Sequence, residues 1–288
     1  MNSNYISNVD YLNSVHIKFK TTKTVLNFIK TNDINRIKRY FPSDKTWWPS
    51  VNFDKIIKRI EFDSFLRMNI FNITSSIEIS FKSIVTNAIY MEYADNYAYN
   101  NSSLFIDIAS QKGFKKKIKE IKDNYRNSPN DVFLKKYFTS SRVKIPISAI
   151  IQKLTFGELI HEFCNFNDTI KQMVADAFGA TAITTFISNI KCAKNVRNVC
   201  CHNDVLNNKK FSSKPSFCKT VKKTINYSTL DADKLFIQLY NLKLLCLDKP
   251  VWNKTITRIS NKVKASTYFI RPCWHFGFPT NWEDLLKH

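Results

Sequence analysis

Arg197 and His202 lie five positions apart in the stretch NVRNVCCHND, with Asn198, Cys200 and Cys201 between them. An imidazole titrates near neutrality and can take a proton from a ribose 2′-hydroxyl or return one to a leaving 5′-oxygen. A guanidinium keeps its charge and offers a planar fork of donors to phosphate oxygens as negative charge builds on them. Together they suit metal-independent RNA cleavage, with a 2′,3′-cyclic phosphate and a 5′-hydroxyl as products; DNA lacks the attacking group. On a helix, five residues turn through about 500°, so the two side chains point about 140° apart around the axis. They can share a phosphate only past a helix end, where the long Arg reaches and the geometry loosens. Asn198 precedes His202 by four residues, on the same face, and can orient the ring. Two other readings stay open. A helix C-terminus commonly carries Arg and His that complement its dipole, and Cys200, Cys201, His202 and Cys218 form a conceivable zinc set without the usual spaced pairs.

The elements that must position these residues read as helices. The chain of 288 residues has 4 Gly and 8 Pro, too few for many tight turns or flexible linkers, which favours long helices joined by short polar loops. From 52 to 90, Ile70, Ile73, Ile77, Phe81, Ile84, Val85, Ala88 and Ile89 recur at three- and four-residue steps, an apolar stripe on one long helix. Glu78 and Lys82 sit one turn apart on it. KIPISAIIQKLTFGELIHEF predicts a second helix, begun at Pro146 and continuing past Gly157. The third runs through GATAITTFISNIKCAKNVRNVCC and ends in the polar HNDVLNNKK, a basic loop follows, and DADKLFIQLYNLKLLCL is the fourth. The fold class expected is all-α: a helical N-terminal extension over 1–60, a bundle core over 61–250, and a C-terminal extension over 251–288 packing on the core. Trp47, Trp48, Trp274 and Trp282 are expected to pack the two ends of the chain. His161 reads as a helix-surface residue, and His16, His275 and His288 have no neighbour that suggests chemistry.

The 44 Lys and Arg against 23 Asp and Glu give a formal charge of +21 and a pI near 9.6, which calls for a polyanionic partner, nucleic acid first. The preferred RNA contacts are Lys82, the strip Lys115, Lys116, Lys117 and Lys119, and the later group Lys209, Lys210, Lys222 and Lys223. A solvated helix face accounts for such strips about as well. The seven cysteines make no C-x-x-C pair, and their odd number and irregular spacing read as reduced thiols. There is no apolar run of membrane-spanning length and no secretory signal pattern, so a cytoplasmic protein without a membrane partner is expected. Neither a cofactor nor a metal is called for.

Four stretches, taken in order, carry a resemblance. RNVCCHNDVLNN is similar to the R-N-x-C-A-H-N-D-R-L-x-N signature of the Abi-like abortive-infection family (the AbiD and AbiF group), within the HEPN superfamily. IPISAIIQKLTFGEL resembles that family's P-x-W-x-x-x-E-x-x-T-F-G segment, with Ser148 and Gln152 in place of Trp and Glu. FDSFLRMNIFNITSSIEISFK resembles its F-D-x-x-L-R helix, and FGFPTNWEDLL its closing G-F-P-x-x-W element. The resemblance implies a HEPN-like helical core and an RNA-cleaving or RNA-binding toxin of anti-phage defence. It makes Arg197 and His202 the catalytic pair, Asn198 the polar residue after the Arg, and Glu78 the acidic residue of the first core helix. It also implies a homodimer and a structured small RNA as partner. Two rivals remain: a protein that holds structured RNA and cleaves nothing, and a sensor subunit that dimerises and recruits a phage component.

Overall fold

The computed structural model of the protein describes residues 3–42, 45–46, 51–139, 143–227, 232–265 and 276–287. Trp47, Trp48, Trp274, His275 and His288 lie outside them. Among the described residues the chain forms fourteen α-helices and two isolated bridges, Lys18 to Asn52 and Phe105 to Phe166, so the class is all-α.

The first three helices, α1 (Ser3–Ser14), α2 (Thr22–Ile29) and α3 (Ile34–Lys38), precede a 41-residue helix, α4 (Phe53–Tyr93). The Asn52 side chain starts α4 by accepting the Asp54 N–H at 2.8 Å, and Ala94 ends it in a left-handed conformation. Next come α5 (Ile108–Asn127), α6 (Val132–Lys135), α7 (Ile147–Lys153), α8 (Phe156–Asn165), α9 (Asp168–Ala177) and α10 (Ile183–Cys201). The last four are α11 (Lys219–Thr224), α12 (Leu235–Leu245), α13 (Lys249–Lys264) and α14 (Trp282–Leu286). Helices α9, α10, α12 and α13 pack around α4, as the apolar stripe on α4 requires. At the centre Phe81 meets Phe156, Phe163, Phe178 and Phe186, with ring centroids 5.3–6.4 Å apart. Such tilted and edge-on ring pairs fill volume and suit the ring quadrupoles.

The second helix expected from the sequence is two. Leu154 and Thr155 are extended, and Thr155 begins α8 with a capping box: its hydroxyl accepts the Glu158 N–H, and the Glu158 carboxylate accepts the Thr155 N–H at 2.8 Å. The T-F-G-E spacing is the sequence signature of that cap, so the apolar periodicity on either side belongs to two helices. The stretch expected as a basic loop also holds α11.

A smaller core, formed by Val9, Leu12, Val25, Ile37, Tyr40, Phe53 and Ile56 among others, joins α1–α3 to the first turns of α4 and takes in Val205 from beyond α10. Helix α4 runs unbroken through residue 60. At the other end Trp252 and Trp282 are buried in the main core, and the Trp252 indole N–H donates to the Leu286 carbonyl at 2.8 Å. The N-terminal helices therefore reach the end of α10, where the candidate chemistry lies.

Candidate active site

Arg197 leaves α10 toward α4. Its Nε lies 3.5 Å from Glu78 Oε2, and Lys82 Nζ lies 3.3 Å from Glu78 Oε1 and 3.3 Å from the Gln152 carbonyl at the end of α7. The Phe71 ring lies beneath the guanidinium, 6.0 Å from its centroid, within cation–π range. Burial is partial, with side-chain exposures of 26% for Arg197, 16% for Glu78 and 13% for Lys82, so the charges interact at an effective dielectric well below that of water. Arg197 Nε is buried and forms no hydrogen bond among the described residues, so the contact with Glu78 at 3.5 Å is Coulombic. The terminal nitrogens of Arg197 form no hydrogen bond among the described residues. One carboxylate thus faces two cations, leaving one positive charge and a free guanidinium fork.

His202 caps the C-terminus of α10. Its N–H donates to the Asn198 carbonyl at 3.0 Å and its side chain is exposed. Asn198 meets His202 through the backbone; no hydrogen bond joins their side chains among the described residues. The turn beyond is a Schellman motif: the Asp204 N–H donates to the Val199 carbonyl at 3.0 Å and the Asn203 N–H to that of Cys200 at 3.4 Å. Asn203 supplies the left-handed residue, with φ 55°, where α9 uses Gly179 with φ 67°. Asn tolerates this region better than other residues with a Cβ. The two cysteines face different surroundings. Cys201 is exposed, whereas Cys200 is buried, and burial pushes its thiol up to about 12, far from a metal-binding thiolate. Among the described residues no three His, Cys, Asp or Glu side chains are disposed to hold a metal.

Two groups that sequence reasoning left without a role, Arg36 and Arg39, fix this turn together with Lys209, which was expected to contact RNA. The Arg36 guanidinium donates to the Asn203 carbonyl at 2.5 Å, and Arg39 and Lys209 each lie 2.6 Å from the Asp204 carboxylate. Burial tends to raise the Asp204 pKa, but Lys209, the Val205 N–H and Arg39 outweigh it and hold the carboxyl at about 2. Deeper, Asp63 is fully buried on α4 and accepts the Leu206 and Asn207 N–H groups at 2.9 and 2.7 Å. It also accepts the Tyr40 hydroxyl at 3.0 Å and pairs with Arg67, itself 5% exposed. Burial pushes the Asp63 carboxyl up against the pull of Arg67 and these donors, and pushes the Tyr40 hydroxyl up to about 12, with the Asp63 charge adding to it. One carboxylate therefore ties α4, the N-terminal helices and the segment after His202 together. Asp63 and Arg67 are the D and R of the F-D-x-x-L-R stretch, following Phe62 and Leu66, and that match was the available signal.

The lysines divide. Lys117 pairs with Glu120 and Glu158 at 2.9 and 2.6 Å, and Lys209 and Lys82 are paired as above. Lys115, Lys116 and Lys119 on α5, and Lys210, Lys222 and Lys223 around α11, are exposed, with Lys222 5.6 Å from the Tyr227 ring centroid. The family model described as Abi-like protein matches residues 15–208, which take in α2, α3, Asp63, Glu78, Arg197, His202 and the turn beyond. No curated protein and no solved structure matches the chain.

Proposed function

This chain belongs to the Abi-like protein family, and on that premise we propose that it is a metal-independent endoribonuclease toxin of abortive-infection defence, with a helical core of HEPN type. The observation that carries the proposal is the state of Arg197: Glu78 holds it through Nε while its terminal nitrogens have no hydrogen-bond partner among the described residues, and His202 is exposed on the braced end of the same helix. In this reading Arg197 receives the phosphate oxygens through paired N–H donors. His202 moves the proton between the 2′-hydroxyl, the leaving 5′-oxygen and solvent. Glu78 acts as a positioning residue for Arg197, Lys82 adds positive charge beside it, and Asn198 holds the His202 backbone through its carbonyl. Residues five apart on a helix point about 140° apart around its axis, so in this reading a second copy of the chain completes the site. The exposed Met68, Phe71 and Ile79 of α4, of which Phe71 lies against Arg197, supply an apolar face for that homodimer. A structured small RNA engages the surplus positive charge and regulates the toxin.

The rival is a protein that binds structured RNA through the same charge and cleaves nothing. Expressing wild type, Arg197→Ala and His202→Ala in bacteria and recovering the RNA bound to each separates the two. The nuclease reading expects growth arrest from wild type alone, with His202→Ala still carrying RNA. Arrest by His202→Ala as strong as by wild type, or loss of bound RNA as the only effect, would favour the rival.

A further inference from the structure

Helices α5 and α8 border a cleft of about 620 Å³ whose charge is opposite to that of the chain. Asp107, Glu120, Glu158 and Glu162 line it, with Lys117 as the one lysine, so three negative charges remain uncompensated in a protein of net charge +21. Three of the four carboxylates have work within the fold. Asp107 caps α5 by accepting the Ser110 N–H at 2.6 Å, Glu158 closes the capping box of α8, and Glu120 pairs with Lys117. Glu162 does not. It is 7% exposed, lines the cleft, and has no hydrogen-bond or ion-pair partner among the described residues. A carboxylate so desolvated is costly unless something donates to it, and burial accordingly pushes its pKa up. Beside it His161 and Asn165 approach each other at 3.5 Å, and Gly113 and Gly157 leave the floor open. A Cβ at Gly113 would meet nothing within 4 Å.

We propose that the α5–α8 cleft binds an organic cation, an alkylammonium or guanidinium group whose N–H donors are received by Glu162. The local charge repels phosphate, so this site is separate from the RNA surface and independent of the ribonuclease reading. No three carboxylate or imidazole groups converge as ligands among the described residues, so a charged N–H donor fits better than a divalent metal. The same chemistry is offered by a free polyamine and by a Lys or Arg side chain of a protein.

The test is isothermal titration of the full chain, freed of RNA by nuclease and high salt, with spermidine, agmatine and a short Arg- and Lys-containing peptide at matched ionic strength. Saturable binding is expected. Spermidine or agmatine binding identifies a free cation as ligand; binding of the peptide alone identifies a protein side chain. Glu162→Gln keeps the shape and should weaken the cation at least about tenfold, the scale of a charge-assisted hydrogen bond. Glu120→Gln at the exposed rim should weaken it less than about threefold. Gly113→Leu fills the cleft without touching Glu162 and should abolish binding, a check that stands even if the Glu162 variant misfolds. Equal loss in the Glu120 and Glu162 variants would reduce the effect to general electrostatics and overturn the proposal. So would the absence of heat with all three probes, or binding indifferent to Gly113→Leu.

Discussion

Replacing Asp63 by Asn keeps the side chain's shape and removes its charge. Arg67, 5% exposed and with its Nε already lacking a hydrogen-bond partner, is then a buried cation without its counter-ion. Breaking a buried pair from one side costs about 3–5 kcal/mol. The remaining amide oxygen can still accept the Leu206 or Asn207 N–H, so Asp63→Asn should lose about 3 kcal/mol and stay folded. Asp63→Ala also strands those two N–H groups, at about 1–3 kcal/mol each. Its total loss approaches the whole stability of a typical domain, about 5–15 kcal/mol. Urea denaturation followed by far-UV circular dichroism measures both. Adding Arg67→Met to Asp63→Asn removes the orphaned charge and should recover about half of the loss, a coupling that a double-mutant cycle reads directly. An Asp63→Asn protein within about 1 kcal/mol of wild type, with no gain from the second substitution, would refute the claim that this pair braces the turn after His202.

The Asp204 carboxyl is held at about 2 in the fold against an ordinary 3.8. Its contribution is therefore present above about pH 4 and is lost as pH falls through 2. Asp204→Asn should cost about 1 kcal/mol at pH 6, allowing for solvent screening, and much less near pH 2, as checked by urea denaturation at both. Tyr40→Phe removes the hydroxyl that donates to Asp63 at 3.0 Å and should cost about 1.5–3 kcal/mol in the same assay at neutral pH. Thr155→Ala removes the cap of α8 and should cost about 1 kcal/mol, with amide exchange quickening in the first turn of that helix.

What the sequence made legible was local. The three- and four-residue apolar steps between Ile70 and Ile89 placed the long α4 helix because burial on one face leaves a periodic trace. The same periodicity hid the break at Leu154 and Thr155, where apolar residues continue across two helices and only the T-F-G-E cap marks the boundary. Arg197 and His202 stood out as residue types, but the facing of Arg197 onto Glu78 is a tertiary event between residues 119 positions apart, with no local signature. Apart from the F-D-x-x-L-R match, Asp63 and Arg67 resembled any surface i, i+4 pair. Their burial follows from packing of the N-terminal helices and the turn after α10 on both sides of them, which periodicity in α4 alone does not reveal. Asn203 was read only as part of the polar tail, and its left-handed conformation gives it a structural duty as the helix stop.

The most direct measurement is to incubate end-labelled RNA with wild type and His202→Ala in EDTA, then map the chemistry of the new ends. The account predicts cleavage by wild type alone, leaving 2′,3′-cyclic phosphates and 5′-hydroxyls, and no cleavage where a 2′-deoxy nucleotide removes the attacking group. New 3′-hydroxyl ends, or cleavage by His202→Ala as fast as by wild type, would contradict it.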